Sequence, residues 1–194
     1  MATVALLGTL DTKGEEYSWL REALQALDVQ TYLIDTGSFS TSPLADVSST
    51  ELIEAAGAEP QKMRQRRDRG EMMTVMGTGA AAVVRKLADA GTVHALLAIG
   101  GSGGSSVAAP AMQALPIGFP KLLVSTMASG DVKPYVGEVD TTLMYSVVDV
   151  AGINSVSEAV LGNAAAAIAG MAKAYEARQN RTESVHKPVI GMSM

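Results

Sequence analysis

Three apolar runs in the chain each give way, where a strand should end, to a loop of glycines, hydroxyls and an acid. Val4–Leu7 leads into Gly8, Thr9, Leu10, Asp11, Thr12, Lys13 and Gly14. Leu96–Ile99 leads into Gly100, Gly101, Ser102, Gly103, Gly104 and Ser105, and Leu122–Val124 into Ser125, Thr126, Met127, Ala128, Ser129, Gly130 and Asp131. A shorter run, Thr31–Ile34, ends in Asp35 and Thr36. In an open parallel sheet all strand C-termini share one edge, and loops there, followed by helix N-termini, form a crevice for an anionic ligand. Glycines let the backbone come close, and free N–H groups meet phosphate oxygens. The pattern predicts a nucleotide pocket.

Each motif also has a plainer reading. Gly8 and Gly14 have five residues between them rather than the four of a P-loop, and Glu15 stands where that loop requires Lys. P-loop hydrolysis is therefore not expected; Thr9, Asp11, Thr12 and Lys13 are candidates for phosphate or ribose contact, or simply a capped strand-to-helix turn. Gly101-x-Gly103-x-x-Ser106 falls short of the dinucleotide fingerprint and follows a late strand. Its four glycines in five positions still point to backbone contact with a ligand. Asp131 suits a ribose hydroxyl, a magnesium ion or an Asx turn. Lys62, Arg64, Arg66, Arg67 and Arg69 place five of the fifteen basic residues within eight positions, either as a solvated helix face or as a phosphate clamp. His94 reads as structural, and with two histidines and no cysteine no zinc site or Ser-His-Asp arrangement is nominated.

The elements that must position these loops are legible from periodicity. The chain has 194 residues, 47% apolar and 18% charged, enough for one domain with a sizeable core. A net charge of −5 argues against a general nucleic-acid binder. The absence of cysteine, of a basic lead segment and of an uncharged apolar stretch long enough to span, Glu158 and Lys173 bracketing the only long candidate, gives a cytoplasmic expectation without membrane. Val4–Leu7, a helix over Glu15–Leu27 and Thr31–Ile34 form a β-α-β opening, hence a right-handed parallel crossover. Ser49 or Thr50 caps a short helix. Gly70–Ala90 is helical with a break at Gly77-Thr78-Gly79, and Ser105–Leu115 is a helix interrupted or shortened near Pro110. Residues 132–152 show poor periodicity and read as turns and short strands. Ser155-x-x-Glu158 opens the longest helix, to about Arg178, with small residues on two faces that suggest a subunit contact. The expected fold is α/β: a Rossmann-like open, mostly parallel sheet with helices on both faces. Residues 1–178 make this domain, 179–187 a linker, and 188–194 the start of a truncated following domain.

Together the segments Gly8–Glu15, Gly100–Ser105, Met127–Asp131 and Tyr145–Asn154 resemble the Tm-one-like ATP-binding domain family, whose plant member is a tomato mosaic virus resistance protein. The resemblance covers nearly the whole chain. It implies a Rossmann-like N-terminal region that binds ATP, followed by further domains, in some members a TIM-barrel module similar to phosphoenolpyruvate-utilising hydrolases. It does not imply hydrolysis.

The expected function is an ATP-binding domain of a larger protein, with or without Mg2+, its phosphates held by the Gly8 and Gly100 loops. The candidate site comprises Gly8, Thr9, Asp11, Thr12, Lys13, Asp35, Thr36, Gly100, Gly101, Ser102, Gly103, Gly104, Ser105, Thr126, Met127, Ser129 and Asp131, with Asp11, Thr126 and Asp131 as polar anchors. A homodimer and a protein partner are expected; a nucleotide-tuned interaction scaffold, or half of an enzyme completed by a C-terminal part, is the alternative.

Overall fold

The computed structural model describes residues 1–38 and 42–180. Chain order is β1 (Thr3–Gly8), α1 (Leu10–Gln25), β2 (Gln30–Asp35), α2 (Ser49–Ala55), α3 (Pro60–Arg66), α4 (Arg69–Asp89), β3 (Ala95–Gly100), α5 (Ser102–Gln113), β4 (Lys121–Ser125), a 3-10 turn (Thr126–Ser129), α6 (Lys133–Val136), β5 (Thr142–Tyr145) and α7 (Ser155–Gln179). The five strands are parallel in the order β2-β1-β3-β4-β5. β1, β3 and β4 are continuous apolar runs because both of their faces are covered. On one face α1 and α7 bring Leu20, Leu24, Leu161 and Ile168 onto Val4, Leu6, Leu97 and Val124. On the other, α2, α4 and α5 bring Leu52, Met72, Met76, Val84 and Met112 onto Ala5, Leu7, Leu96 and Leu123. The expected α/β sheet with helices on both faces is thus observed, and every described strand pairing in it is parallel.

Several local expectations change. Residues 77–79 do not break α4, which runs unbroken from Arg69 to Asp89. The two glycines there serve helix packing: a Cβ on Gly77 would lie 3.1 Å from the Pro110 ring of α5, and one on Gly79 only 1.9 Å from the Leu52 carbonyl oxygen of α2. α5 begins at Ser102 and passes through Pro110 to Gln113. α1 begins at Leu10 rather than Glu15, with non-helical backbone at Lys13. Ser48, not Ser49, caps α2 in a reciprocal box with Glu51. The cap of α7 is Asn154, whose side chain accepts from the Val156 and Ser157 amides, while the Ser157 hydroxyl accepts from the Asn154 amide. β5 is one of the short strands expected within 132–152, its bounds not fixed by periodicity because a four-residue edge strand carries too little alternation. By composition and length α7 is apolar enough to cross a membrane despite Glu158 and Lys173, yet its inner face packs against α1 and the sheet. The expected linker beyond Asn180 and the start of a further domain lie outside the described residues.

At the base of the sheet the buried Lys121 amine donates to the Pro116 and Phe119 carbonyls and pairs with Asp140 at 2.7 Å. These three partners take up its charge and its donors, the condition under which a buried ammonium is tolerated.

The crossing of α2 and α4 depends on Gly79. Gly79→Ala is expected to destabilise the domain by about 3 kcal/mol, because the clash is with backbone rather than a movable side chain. Denaturant unfolding measures it; a change below about 0.5 kcal/mol would show that the two helices are not held this close.

Candidate functional site

The strand order places the reversal of winding between β1 and β3. β1 feeds α1 on one face and β3 feeds α5 on the other, so the two connections diverge and leave a crevice at the C-terminal rim. The last residues in register there are Leu7 and Ala98. One position further on, the Tyr17 hydroxyl of α1 replaces the ladder: it donates to the Leu7 carbonyl and accepts from the Ile99 amide at 3.1 Å. Its ring lies where a Cβ on Gly8 would be, 2.0 Å from the hydroxyl oxygen, so glycine is required at the end of β1. Burial, the dominant cause, pushes the Tyr17 phenol well above its ordinary pKa, so the group remains a neutral donor.

The β1 side of the crevice is tied up internally. The Leu10 amide donates to Asp35 Oδ1 at 3.1 Å, and the Thr12 and Lys13 amides to the Thr9 carbonyl. Asp35 is fully buried and also accepts from the Gly37 and Ser42 amides. Burial raises its carboxyl pKa, the three backbone donors oppose the rise, and the nearby Asp11 charge adds to it. Thr36 is buried and its amide donates to the Gly8 carbonyl. Lys13 donates its ammonium to the Val150 carbonyl, and the buried Glu16 accepts the Gly152 amide at 2.6 Å. These two side chains pin the loop after β5, in which Val147 adopts left-handed backbone at φ 66°. What this side presents outward is the Asp11 carboxylate and the Thr9 and Thr12 hydroxyls, which pair with each other at 3.0 Å.

The β3 side is different. Gly101 is the extended residue before α5, and the first α5 amide with a helical partner is that of Ser105, donating to the Gly101 carbonyl. Among the described residues, no side chain caps this helix. Ser105 is buried, its hydroxyl 2.6 Å from that of Ser125, which accepts from the Met127 amide. This pair ties the β3 loop to the β4 loop. Two of the four glycines answer to packing: a Cβ on Gly100 would lie 3.3 Å from the Gly104 backbone, and one on Gly104 3.4 Å from the Ile99 carbonyl. Gly101 and Gly103 have room for a side chain in ordinary backbone conformations. The nearest groups to a Cβ on Gly103 are Arg69 Nη2 at 3.8 Å and Met73. The β4 loop adds Thr126, whose hydroxyl would lie 3.5 Å from a Cβ on Gly101.

The expected loops therefore gather on one rim, with unequal roles. Gly8, Asp35, Thr36, Lys13 and Ser105 build the crevice through internal bonds. Asp11, Thr12, Ser102 and Ser129 are exposed, and Thr9, Gly101, Gly103, Gly104, Thr126 and Met127 half-exposed. Asp131 is exposed and accepts from the Lys133 amide in front of α6. The basic run divides as well. Lys62 pairs with Glu59, Arg66 with Glu71, and Arg64 bonds the Ser49 and Thr50 hydroxyls, whereas Arg69 at the start of α4 extends toward α5. Sequence reading left Arg69 as one of five equal cations, because only the α4–α5 packing singles it out. His94 is structural, its Nδ1 accepting from the Thr3 amide.

This topology and rim define a doubly wound α/β domain of the flavodoxin-like strand order. The chain belongs to the uncharacterised protein family UPF0261, matching its N-terminal domain over residues 2–177. A UPF0261 protein of Clostridium tetani is 42% identical over 192 residues, covering 98% of this chain and 46% of that protein. One from Mesorhizobium japonicum is 38% identical, covering 100% and 47%. The tomato (Solanum lycopersicum) ToMV resistance protein Tm-1(GCR237) is 34% identical over 184 residues, covering 87% of this chain and 24% of its own length. The chain thus spans about half the length of these bacterial relatives. The family reading from the loop motifs is corrected accordingly: the tomato proteins are homologues, but the family is UPF0261 and not an ATP-binding family specific to them.

Tyr17 is the testable part of the crevice. Tyr17→Phe leaves the Leu7 carbonyl and Ile99 amide without a partner and is expected to cost about 1–3 kcal/mol, with faster hydrogen exchange at Ile99. Unchanged stability and exchange would mean that β1 and β3 do not need the hydroxyl to hold their separation.

Proposed function

We propose that this domain binds ATP or a related nucleoside triphosphate in the β1/β3 crevice, as part of a larger protein. The observation that carries the reading is the uncapped first turn of α5, with Gly101 and Gly103 unexplained by packing and Arg69 above them. Backbone N–H groups at a helix start, the positive end of its dipole and a guanidinium together suit a polyphosphate. The β1 loop, its amides at Leu10, Thr12 and Lys13 already engaged, does not share that role in this reading. It supplies instead Asp11, Thr9 and Thr12, which suit ribose hydroxyls or a magnesium ion accompanying the phosphates.

Among the described residues the rim holds no histidine, and the chain has no cysteine. The rim's exposed groups are carboxylates, hydroxyls and backbone amides, and this reading assigns them to holding the ligand, with any chemistry supplied by the remainder of the full-length protein. Dimer formation and a protein partner are compatible with the same reading.

Thermal unfolding with ATP and magnesium tests it. At a hundred times the dissociation constant, bound nucleotide stabilises by about 2.7 kcal/mol. Gly101→Val should retain the fold and lose this protection, while Arg69→Ala should weaken affinity roughly tenfold. Equal protection of the parent protein and both variants would place the phosphates elsewhere.

A further inference from the structure

The outer face of α7 has an unexplained composition. The inner face, with Leu161, Ala164, Ala165, Ile168 and Ala172, packs against α1, β1, β3 and β4. Opposite it, Ala159, Asn163, Ala166, Gly170 and Ala174 are exposed. Gly170 has no atom within 4 Å of where a Cβ would stand. A mid-helix glycine costs stability relative to alanine, and nothing within this chain requires it. The apolar surface extends past the helix start: Val156, Tyr145 and Val147 are all exposed large apolar residues. The β5 end and the α7 start adjoin, since Ser146 and Val148 line one small cavity with Ser157 and Val160.

Charge placement identifies the occupant. Between Ser155 and Ala174 only Glu158 and Lys173 are charged, both exposed, and among the described residues neither makes an ion pair. They stand eight residues before and seven after Ala166. We infer that this face is an isologous interface, in which α7 of one copy packs antiparallel on α7 of a second copy about a twofold axis near Ala166. With a rise of about 1.5 Å per residue, each Glu158 then comes level with the partner copy's Lys173, on the same side of the pair because the twofold preserves it. Gly170, four residues from Ala166 and bare of neighbours, lets the two backbones approach. A parallel arrangement would set like charges against each other at both ends. This interface goes beyond the nucleotide reading and does not depend on it.

Sedimentation of the full-length protein over micromolar concentrations tests the inference. A dimer is expected, and Ala166→Arg, at an exposed position, should abolish it without changing the thermal unfolding profile. Glu158→Lys and Lys173→Glu should each weaken dimerisation roughly tenfold, and the double reversal should restore it. The inference is overturned by a monomeric parent protein, by a dimer indifferent to Ala166→Arg, by a double reversal no better than the singles, or by a monomer that instead floats with phosphatidylcholine vesicles.

Discussion

One hydroxyl group holds the crevice open. Parallel neighbours normally continue their ladder until one strand ends, but β1 and β3 must part so that their helices can leave on opposite faces. Parting leaves the Leu7 carbonyl and the Ile99 amide facing each other without direct contact, and unpaired backbone groups at that depth are costly. The Tyr17 hydroxyl satisfies both. This fixes the residue under which it lies, since the ring occupies the space a side chain at Gly8 would need. It also fixes the start of α1, and with it the positions of Lys13 and Glu16, which hold the loop after β5. Asp35 completes the arrangement from the β2 side by gathering the Leu10, Gly37 and Ser42 amides.

The two halves of the rim consequently differ in kind. Around β1 the buried polar groups and the Leu10, Thr12 and Lys13 amides are satisfied internally, and only Asp11, Thr9 and Thr12 present side chains outward. Around β3 the Ser105–Ser125 pair supplies the internal tie, and the first turn of α5 has no side-chain cap, with Arg69 beside Gly103. A buried, fully bonded frame beside an open helix start is what the proposed nucleotide site would use, because its donors would be pre-oriented by structure they do not themselves support.

The sequence carried the fold in its strands. Strands covered on both faces read as uninterrupted apolar runs, so β1, β3 and β4 were legible, as was the β-α-β opening. The loops at their ends were legible too, because parallel topology sends every one of them to the same edge. Roles within those loops were not. Asp35 and Asp11 look alike in sequence, and only burial makes one a frame member and leaves the other exposed. Glycine carries no mark of its reason: Gly79 faces a backbone carbonyl, Gly8 a tyrosine ring, and Gly103 open space near an arginine. Arg69 was hidden in a charged run, since its neighbours' salt bridges depend on a helix pair that spacing does not reveal. The relationship to the tomato proteins was readable from the loop motifs, whereas membership in UPF0261 rests on the match over residues 2–177.

The division of the rim is best tested by following backbone amides of the isotopically labelled protein by NMR as ATP and magnesium are added. The Ser102, Gly103 and Gly104 amides should shift saturably, while those of Leu10, Thr12 and Lys13, already bonded to Asp35 and Thr9, should stay near their starting positions. Large shifts at Leu10–Lys13 with none at Ser102–Gly104 would contradict the assignment of frame and binding surface.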